Sequence, residues 1–503
     1  MKFKRQYVRL FCSILLVFVV LLSGCQSSAP VTVGDLESLT AVLDENIPGW
    51  LNRYGVPGAS LALVVDGELV WSQGYGWADV EEGVAARPET VYQVASISKP
   101  VTAWGVMRLA EAGEIDLDAP ISETLTRWEL PASGYSAEGV TIRRLLSHSA
   151  GLSVHGYPGY LPDALLPTLE ESLSGAGGTA YHVQQVSEAG KQFSYSGGGY
   201  TLLQLMIEEV SGMGFSEFMQ AEVLSPLGMD HSSFEWDADL HADTAIGYDA
   251  RGRVLPNYLF TEKAAAGLYT TAAELARFGA AALPGNNGEA AGRGVISPEG
   301  VKTLFAPAIA MPEGGIETYL SGMDAYGLGY FLETLPDGSQ WYSHTGGNKG
   351  WRSLLIIDPK QSAVLVVLTN SDNGGAVYDE VTKVWAKWLG SGTPTRFEHL
   401  QIVAYGVAAV SILVLLGLVG WTYRFARSLL EKKRSFRFKF GWKALGKLQA
   451  ALLLGGLWWG EGTLLKFVLP GMAGWAELVF LLWAAAMVMS AFTVSGRHEM
   501  SRD

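Results

Sequence analysis

Val94-Ala95-Ser96-Ile97-Ser98-Lys99 sets a hydroxyl and an amine three residues apart, where the apolar run Val101-Thr-Ala-Trp-Gly-Val-Met-Arg-Leu-Ala-Glu111 begins. The run predicts a helix that ends near Gly113. Residues i and i+3 share one helix face, about 5–6 Å apart, so Lys99 can reach the oxygen of Ser96. A serine hydroxyl is a poor nucleophile until a neighbouring base takes its proton. A helix start adds unpaired N–H groups and a positive dipole end, both suited to a developing oxyanion. Pro100 is tolerated because it falls in the first turn. By itself Ser-x-x-Lys occurs by chance on many surface helices, as an N-cap serine and a solvated lysine. Its meaning therefore depends on the rest of the chain.

Upstream, a helix is expected from about Asp35 to Tyr54, broken by Pro57-Gly58. The β-prone runs Ala59–Val65 and Glu68–Gly74 flank Asp66-Gly67, a hairpin signal. Downstream, residues 117–240 read as mostly helical, with a short helix at Arg143–Leu146 leading into a glycine turn and another from Gly199 to Val210. Thr271-Ala-Ala-Glu274 has the form of a capping box. Three strands follow, Gln340–Gly346, Trp351–Ile357 and Ala363–Thr369, then a helix from about Ala376 to Leu389. Strands at both ends with helices between predict a sheet completed by the two chain ends, plus a helical insertion.

Two further motifs give Ser96 a context. Tyr195-Ser196-Gly197 lies at the entrance to a helix, and His344-Thr345-Gly346-Gly347 lies on a predicted strand. In this order the three segments resemble the serine β-lactamase and D,D-peptidase superfamily, especially its class C, D-aminopeptidase and esterase branch. That family reads Ser-x-x-Lys, Tyr-x-Asn, then Lys-Thr-Gly or His-x-Gly on an edge strand, and the resemblance covers about residues 35–390. It implies an α+β fold, an antiparallel sheet flanked by helices plus a helical subdomain, here followed by a transmembrane α-helical bundle. It implies that Ser96 attacks an acyl carbonyl, with Lys99 or a Lys99-stabilised Tyr195 phenolate as base. It implies an oxyanion hole from the backbone N–H groups of Ser96 and Gly347. His344 is expected to hydrogen-bond a substrate carboxylate or the Tyr195 oxygen, and Thr345 and Gly346 to line the substrate. Gly197 departs from the pattern, since the family's asparagine amide there touches the lysine and the substrate amide. This departure counts more against β-lactam hydrolysis than against nucleophilic attack. His148, in Leu146-Ser-His-Ser-Ala-Gly-Leu152, reads as a structural loop residue, and the other histidines as ordinary surface or core residues.

The chain ends differ in character. Lys2, Lys4, Arg5 and Arg9 precede an apolar stretch ending in Leu22-Ser-Gly-Cys25, so residues 1–24 read as an export signal. The ending resembles the lipobox of bacterial lipoproteins, which implies lipidation of Cys25; an ordinary signal peptide or an uncleaved anchor is the alternative. Residues 25–34 form a spacer. Residues 400–423 are charge-free, apolar and long enough to span a bilayer. The basic stretch 424–443 is then expected on the cytoplasmic side. A second span over 444–469, interrupted by Glu461 and Lys466, and a third over 474–495 would leave the tail 496–503 inside.

Of 36 basic and 50 acidic residues, 16 and 5 fall in residues 1–25 and 400–503, which leaves 20 against 45 between them. So acidic a domain is a poor nucleic-acid binder. With one mature cysteine, no disulfide within the chain is possible. No His-Glu-x-x-His spacing and no Gly-Lys-Ser/Thr loop is present, so no metal or cofactor is implied. The sequence is silent on oligomeric state. The expected protein is a multi-pass bacterial membrane protein with an extracytoplasmic serine hydrolase domain. Its expected partners are the membrane and a small peptide, amide or ester, a D-amino-acid peptide first. A β-lactamase and a non-catalytic penicillin-binding-like sensor are the rival readings.

Overall fold

A computed structural model describes residues 31–431 apart from 177, 179–180, 237–241 and 314–320, together with 434–436, 445, 447–452 and 470–495. Helix α1 (Leu36–Tyr54) starts at Asp35, whose carboxylate accepts the N–H groups of Glu37 and Ser38, and stops at Gly55 in the left-handed region. Strands β1 (Gly58–Val65) and β2 (Glu68–Asp79) are joined through Asp66 and Gly67 at φ 52° and 77°. Positive φ at both positions makes the tight turn that matches strand twist.

The main sheet runs β3-β2-β1-β11-β10-β9-β8-β7-β6, all antiparallel. Here β3 is Val84–Ala85, β6 Ile309–Ala310, β7 Ala325–Tyr326, β8 Phe331–Thr334, β9 Gln340–Asn348, β10 Trp351–Asp358 and β11 Ala363–Thr369. Pairing of β1 with β11 closes the sheet from the two ends of the domain, as the sequence predicted. A separate pair, β4 (Tyr92–Gln93) with β5 (Tyr269–Thr270), leads into the Ser96 segment.

Both faces of the central strands are covered, which is why they read as continuous apolar runs. Leu61, Leu63, Leu354, Ile356, Leu365 and Val367 face α1 and a later helix, Gly374–Leu389. Their neighbours Ala62, Val64, Leu355, Ile357, Val364 and Val366 face the helical subdomain. That subdomain is built around α2 (Ser98–Glu111) and α3 (Gly197–Ser211), while α4 (Ala272–Ala281) lies directly on this face of the sheet. The capping box is only half formed. Thr271 accepts the Glu274 N–H, but the buried Glu274 carboxylate turns instead to the His231 N–H and the Ser232 hydroxyl.

After α5 (Gly374–Leu389), α6 runs unbroken from Thr395 to Leu430. Among the described residues it is the one helix long and apolar enough to cross a membrane, by length and composition. The helix continues to Leu430, past the expected loop start at 424, because Arg424, Arg427 and Glu431 extend it: the Arg424 Nε donates to Gly420 O and Arg427 pairs with Glu431 four residues on. Helix α7 spans Pro470–Ala491. Residues 1–30, with the signal and Cys25, most of 444–469, and the tail 496–503 lie outside the described residues.

Candidate active site

Ser96 sits two residues before α2, in a turn of 3₁₀ helix, Ala95–Ile97. Ala95 has φ +48°, an uncommon conformation for a residue with a side chain. Neighbours hold the turn on every side. The Ser98 hydroxyl donates to Ala95 O at 2.6 Å and accepts the Leu268 N–H at 2.9 Å. Ser353 on β10 donates to Val94 O at 2.8 Å. Gly346 closes the gap to β9, since a Cβ there would lie 2.1 Å from Val94 O. Ser96 is half-buried while both flanking residues are buried, so its hydroxyl is the group of this turn that meets solvent.

Lys99 lies 2% exposed on the first turn of α2, its Nζ 3.2 Å from Ser96 Oγ and 2.7 Å from Ala265 O. Burial lowers its pKa from 10.5 to about 7. Two histidines that feel its charge are neutral: burial holds His148 well below its ordinary value and His344 at about 3, with the Lys99 charge adding to both shifts. Among the described residues the amine thus has a carbonyl partner and no carboxylate partner to keep it charged.

Tyr195 completes the cluster from the entrance of α3. Its ring centre lies 4.9 Å from Lys99 Nζ. Burial raises its pKa above the ordinary phenol range, and a bond with the Ser96 side chain works in the opposite direction. Its position comes from His148, which the sequence marked only as a loop residue. The His148 carbonyl accepts the Ser194 N–H at 2.7 Å and its Nδ1 accepts the Ser196 N–H at 3.1 Å. Its ring lies 4.1 Å from that of Tyr195. The tyrosine is gripped on both backbone sides and on its ring. His148 itself has φ +54° and is 2% exposed.

Strand β9 borders the cluster. Its pairing with β8 ends at Ser343, so His344 to Asn348 form an edge open on that side. His344 differs from expectation. It is 1% exposed, with Nε2 3.2 Å from the Tyr326 hydroxyl and Nδ1 2.7 Å from Thr345 O. Both nitrogens are engaged inside the protein, and its ring centre is 6.3 Å from that of Tyr195. It supports the strand from behind and offers no charge to a carboxylate. Thr345 is half-exposed and pairs with Leu354, on the sheet face opposite to His344. Its side chain is therefore not directed at the Ser96 cluster, contrary to expectation. Gly346 acts through its missing side chain, and Gly347 lies exposed on the open edge. Gly197 is also accounted for. A Cβ there would lie 3.2–3.4 Å from His155 O, the Tyr157 ring and Gly156 Cα, so a neighbouring loop fills the space of an asparagine side chain.

Three segments distant in sequence thus meet around Ser96. A family profile described as Beta-lactamase matches residues 39–386. The chain belongs to the beta-lactamase family. Over 339 residues it is 25% identical to Protein flp of Staphylococcus aureus (strain MRSA252), covering 65% of this chain and 62% of that protein. The chain thus spans less than two-thirds of the length of that relative. Among solved structures, the octameric penicillin-binding protein homologue from Pyrococcus abyssi is 28% identical, with a TM-score of 0.59, over 71% of this chain and 78% of that one. SurE, solved with D-Leu, is 25% identical, with a TM-score of 0.54, over 69% of this chain and 73% of that one. The family and the α+β fold expected from the sequence are those found.

Proposed function

We propose that this family member is a membrane-bound, extracytoplasmic serine hydrolase that works through an acyl-enzyme on Ser96. One observation carries the reading: the Lys99 amine, 3.2 Å from the Ser96 hydroxyl, is buried and, among the described residues, has no carboxylate partner. A neutral amine can take a proton; a charged one cannot. Between the two bases left open by the sequence, Lys99 is favoured, because burial pulls its pKa down to about 7 and pushes that of Tyr195 up.

Lys99 takes the Ser96 proton as Oγ adds to the acyl carbonyl carbon. The oxyanion is received by the N–H groups of Ser96 and Gly347, each donor worth about 2.7–4 kcal/mol. As the bond to the leaving nitrogen or oxygen breaks, the proton passes from Lys99 through the Tyr195 hydroxyl to the leaving group. Water then releases the acyl group by the same route in reverse. Thr345 and Gly346 border the acyl group through the backbone of the β9 edge, and His344 holds that edge in place.

A D-amino-acid-containing peptide or amide is the favoured substrate, with an ester second. The D preference draws support from SurE, the relative solved with D-Leu. Efficient β-lactam turnover is disfavoured, since a loop occupies the place of the amide absent at Gly197. The test is hydrolysis of D- and L-amino-acid anilides, short esters and a chromogenic cephalosporin by the full chain and by Ser96→Ala. The expected order is D-anilide, ester, cephalosporin, with all activity lost in the variant. Equal activity of the variant would refute the reading.

Membrane attachment belongs to the same proposal: a lipid on Cys25, three crossings over 400–423, 444–469 and 474–495, and cytoplasmic 424–443 and 496–503. Arg434–Phe436, after α6, pairs with Thr493–Ser495, after α7. Two helices that end at one strand pair run the same way. A return crossing between them meets that requirement.

A further inference from the structure

The open edge of β9 continues past Gly347. Asn348 is buried and turned inward, its Nδ2 donating to Gln93 Oε1 at 2.8 Å and to Ala266 O at 3.2 Å. Gln93 Nε2 in turn donates to Asn257 Oδ1 at 2.5 Å and to Tyr258 O at 2.9 Å. These partners belong to the site: Gln93 lies three residues before Ser96, and Ala266 follows the Ala265 carbonyl that holds the Lys99 amine. Beyond Asn348 the chain turns sharply at Gly350, whose φ is +83° and whose N–H bonds Asp372. Lys349 stands in this turn, exposed, with its Nζ 4.2 Å from the centre of the Tyr258 ring. The amine is thus drawn back to the side of the sheet on which Asn348 meets Gln93. Among the described residues it makes no ion pair. Asp372, the carboxylate beside the turn, is taken by the Gly350 N–H and by Arg352.

Tyr258 also packs against the loop that touches Tyr195. A Cβ at Gly159 would lie 2.8 Å from Tyr258 Cβ, and His155 O in the same loop accepts the Gly197 N–H at 3.0 Å. Contacts therefore run in a circuit from Tyr195 through this loop to Tyr258 and Lys349, then back along β9 to His344 and Tyr195. The Ser96 turn meets the circuit at Tyr195 and, through Val94, at Gly346. From this circuit we infer that Lys349 is a specificity-determining residue, which receives a carboxylate carried by the acyl part of the substrate. The inference rests on the Ser96–Lys99–Tyr195 reading above. Direction along the strand decides which part of the substrate is meant. Tyr195 passes the proton to the leaving group, and it meets β9 at His344. Gly347, the oxyanion donor, comes three residues later, and Lys349 lies two further, about 7 Å on at the rise of a strand. The group that extends from the carbonyl away from Tyr195 is the acyl group. Residues 26–399 hold 45 acidic side chains against 20 basic, so an ammonium without a carboxylate partner is a local attraction for an anion in a domain that otherwise repels one.

The test compares two N-acetyl-D-amino-acid p-nitroanilides on the full-length protein: the D-glutamyl compound, with a side-chain carboxylate, and the D-glutaminyl compound, of the same size and uncharged. The wild type is expected to show a kcat/KM about fivefold higher on the glutamyl substrate, the upper end for an ion pair open to solvent. Lys349→Gln is expected to abolish this preference, and Lys349→Arg to retain most of it. A packing role for Lys349 would change both substrates alike and leave their ratio where it was. An unchanged ratio in Lys349→Gln therefore overturns the inference, as does a wild type with no preference for the glutamyl substrate. Failure of the reading beneath it looks different: the wild type would then cleave neither anilide, or Ser96→Ala would cleave them as well as the wild type does.

Discussion

An amine three residues from a hydroxyl is useful as a base only when neutral, and burial decides this for Lys99. Its unfolded pKa of 10.5 falls to about 7 in the fold, so acylation is base-limited below neutral pH. The kcat/KM for an anilide is expected to fall about tenfold per pH unit below about 7 and to level off above it. A profile flat down to pH 5 would exclude Lys99 as the base. At this scale the sequence was legible where spacing is local: Ser96 and Lys99 are placed by one turn of helix, and Tyr195 by the turn that opens another. It was not legible where the partner is remote. Ala265, which holds the Lys99 amine, lies 166 residues away. His148 reaches Tyr195 through a left-handed residue that no periodicity announces. His344 was misjudged for the same reason: strand alternation sets its direction, but only the packing of Tyr326 shows that both nitrogens are occupied.

Elements set the site by close approach. Strand β9 touches the nucleophile turn only because Gly346 has no side chain; a Cβ would sit 2.1 Å from Val94 O and 2.2 Å from Ser353 Oγ. Gly346→Ala is expected to push β9 away from Ser96, with a loss of about 1–3 kcal/mol in stability. Activity should drop at least a hundredfold while the far-ultraviolet circular dichroism spectrum is retained. Wild-type turnover in that variant would show that β9 does not border the reacting groups. Strand identity was readable, since a run such as Ala363–Leu368 is apolar throughout and bounded by turn residues. Helix ends were less so. The α6 helix passes beyond the apolar run because charged side chains that mark a loop in composition also pair along a helix face.

For the molecule as a whole, the proposed topology puts the acidic domain and the basic stretch 424–443 on opposite sides of a bilayer. A domain of that charge is repelled by anionic lipid headgroups unless it is tethered. A reporter fused after Lys439 is therefore expected to be cytoplasmic, and one fused after Leu389 extracytoplasmic. The reverse pattern would overturn the orientation. The sheet closed by the two ends of residues 35–390 was foreseeable from strands flanking a helical insertion. Convergence of the three motifs was foreseeable only from resemblance, because nothing in residues 196–343 by itself dictates that the β9 edge returns to Ser96. That convergence is most directly tested by treating the folded, full-length protein with a fluorophosphonate and locating the adduct by peptide mass spectrometry. A single adduct on Ser96, absent from Lys99→Met, is the predicted result; no adduct, or one on another serine, would contradict it.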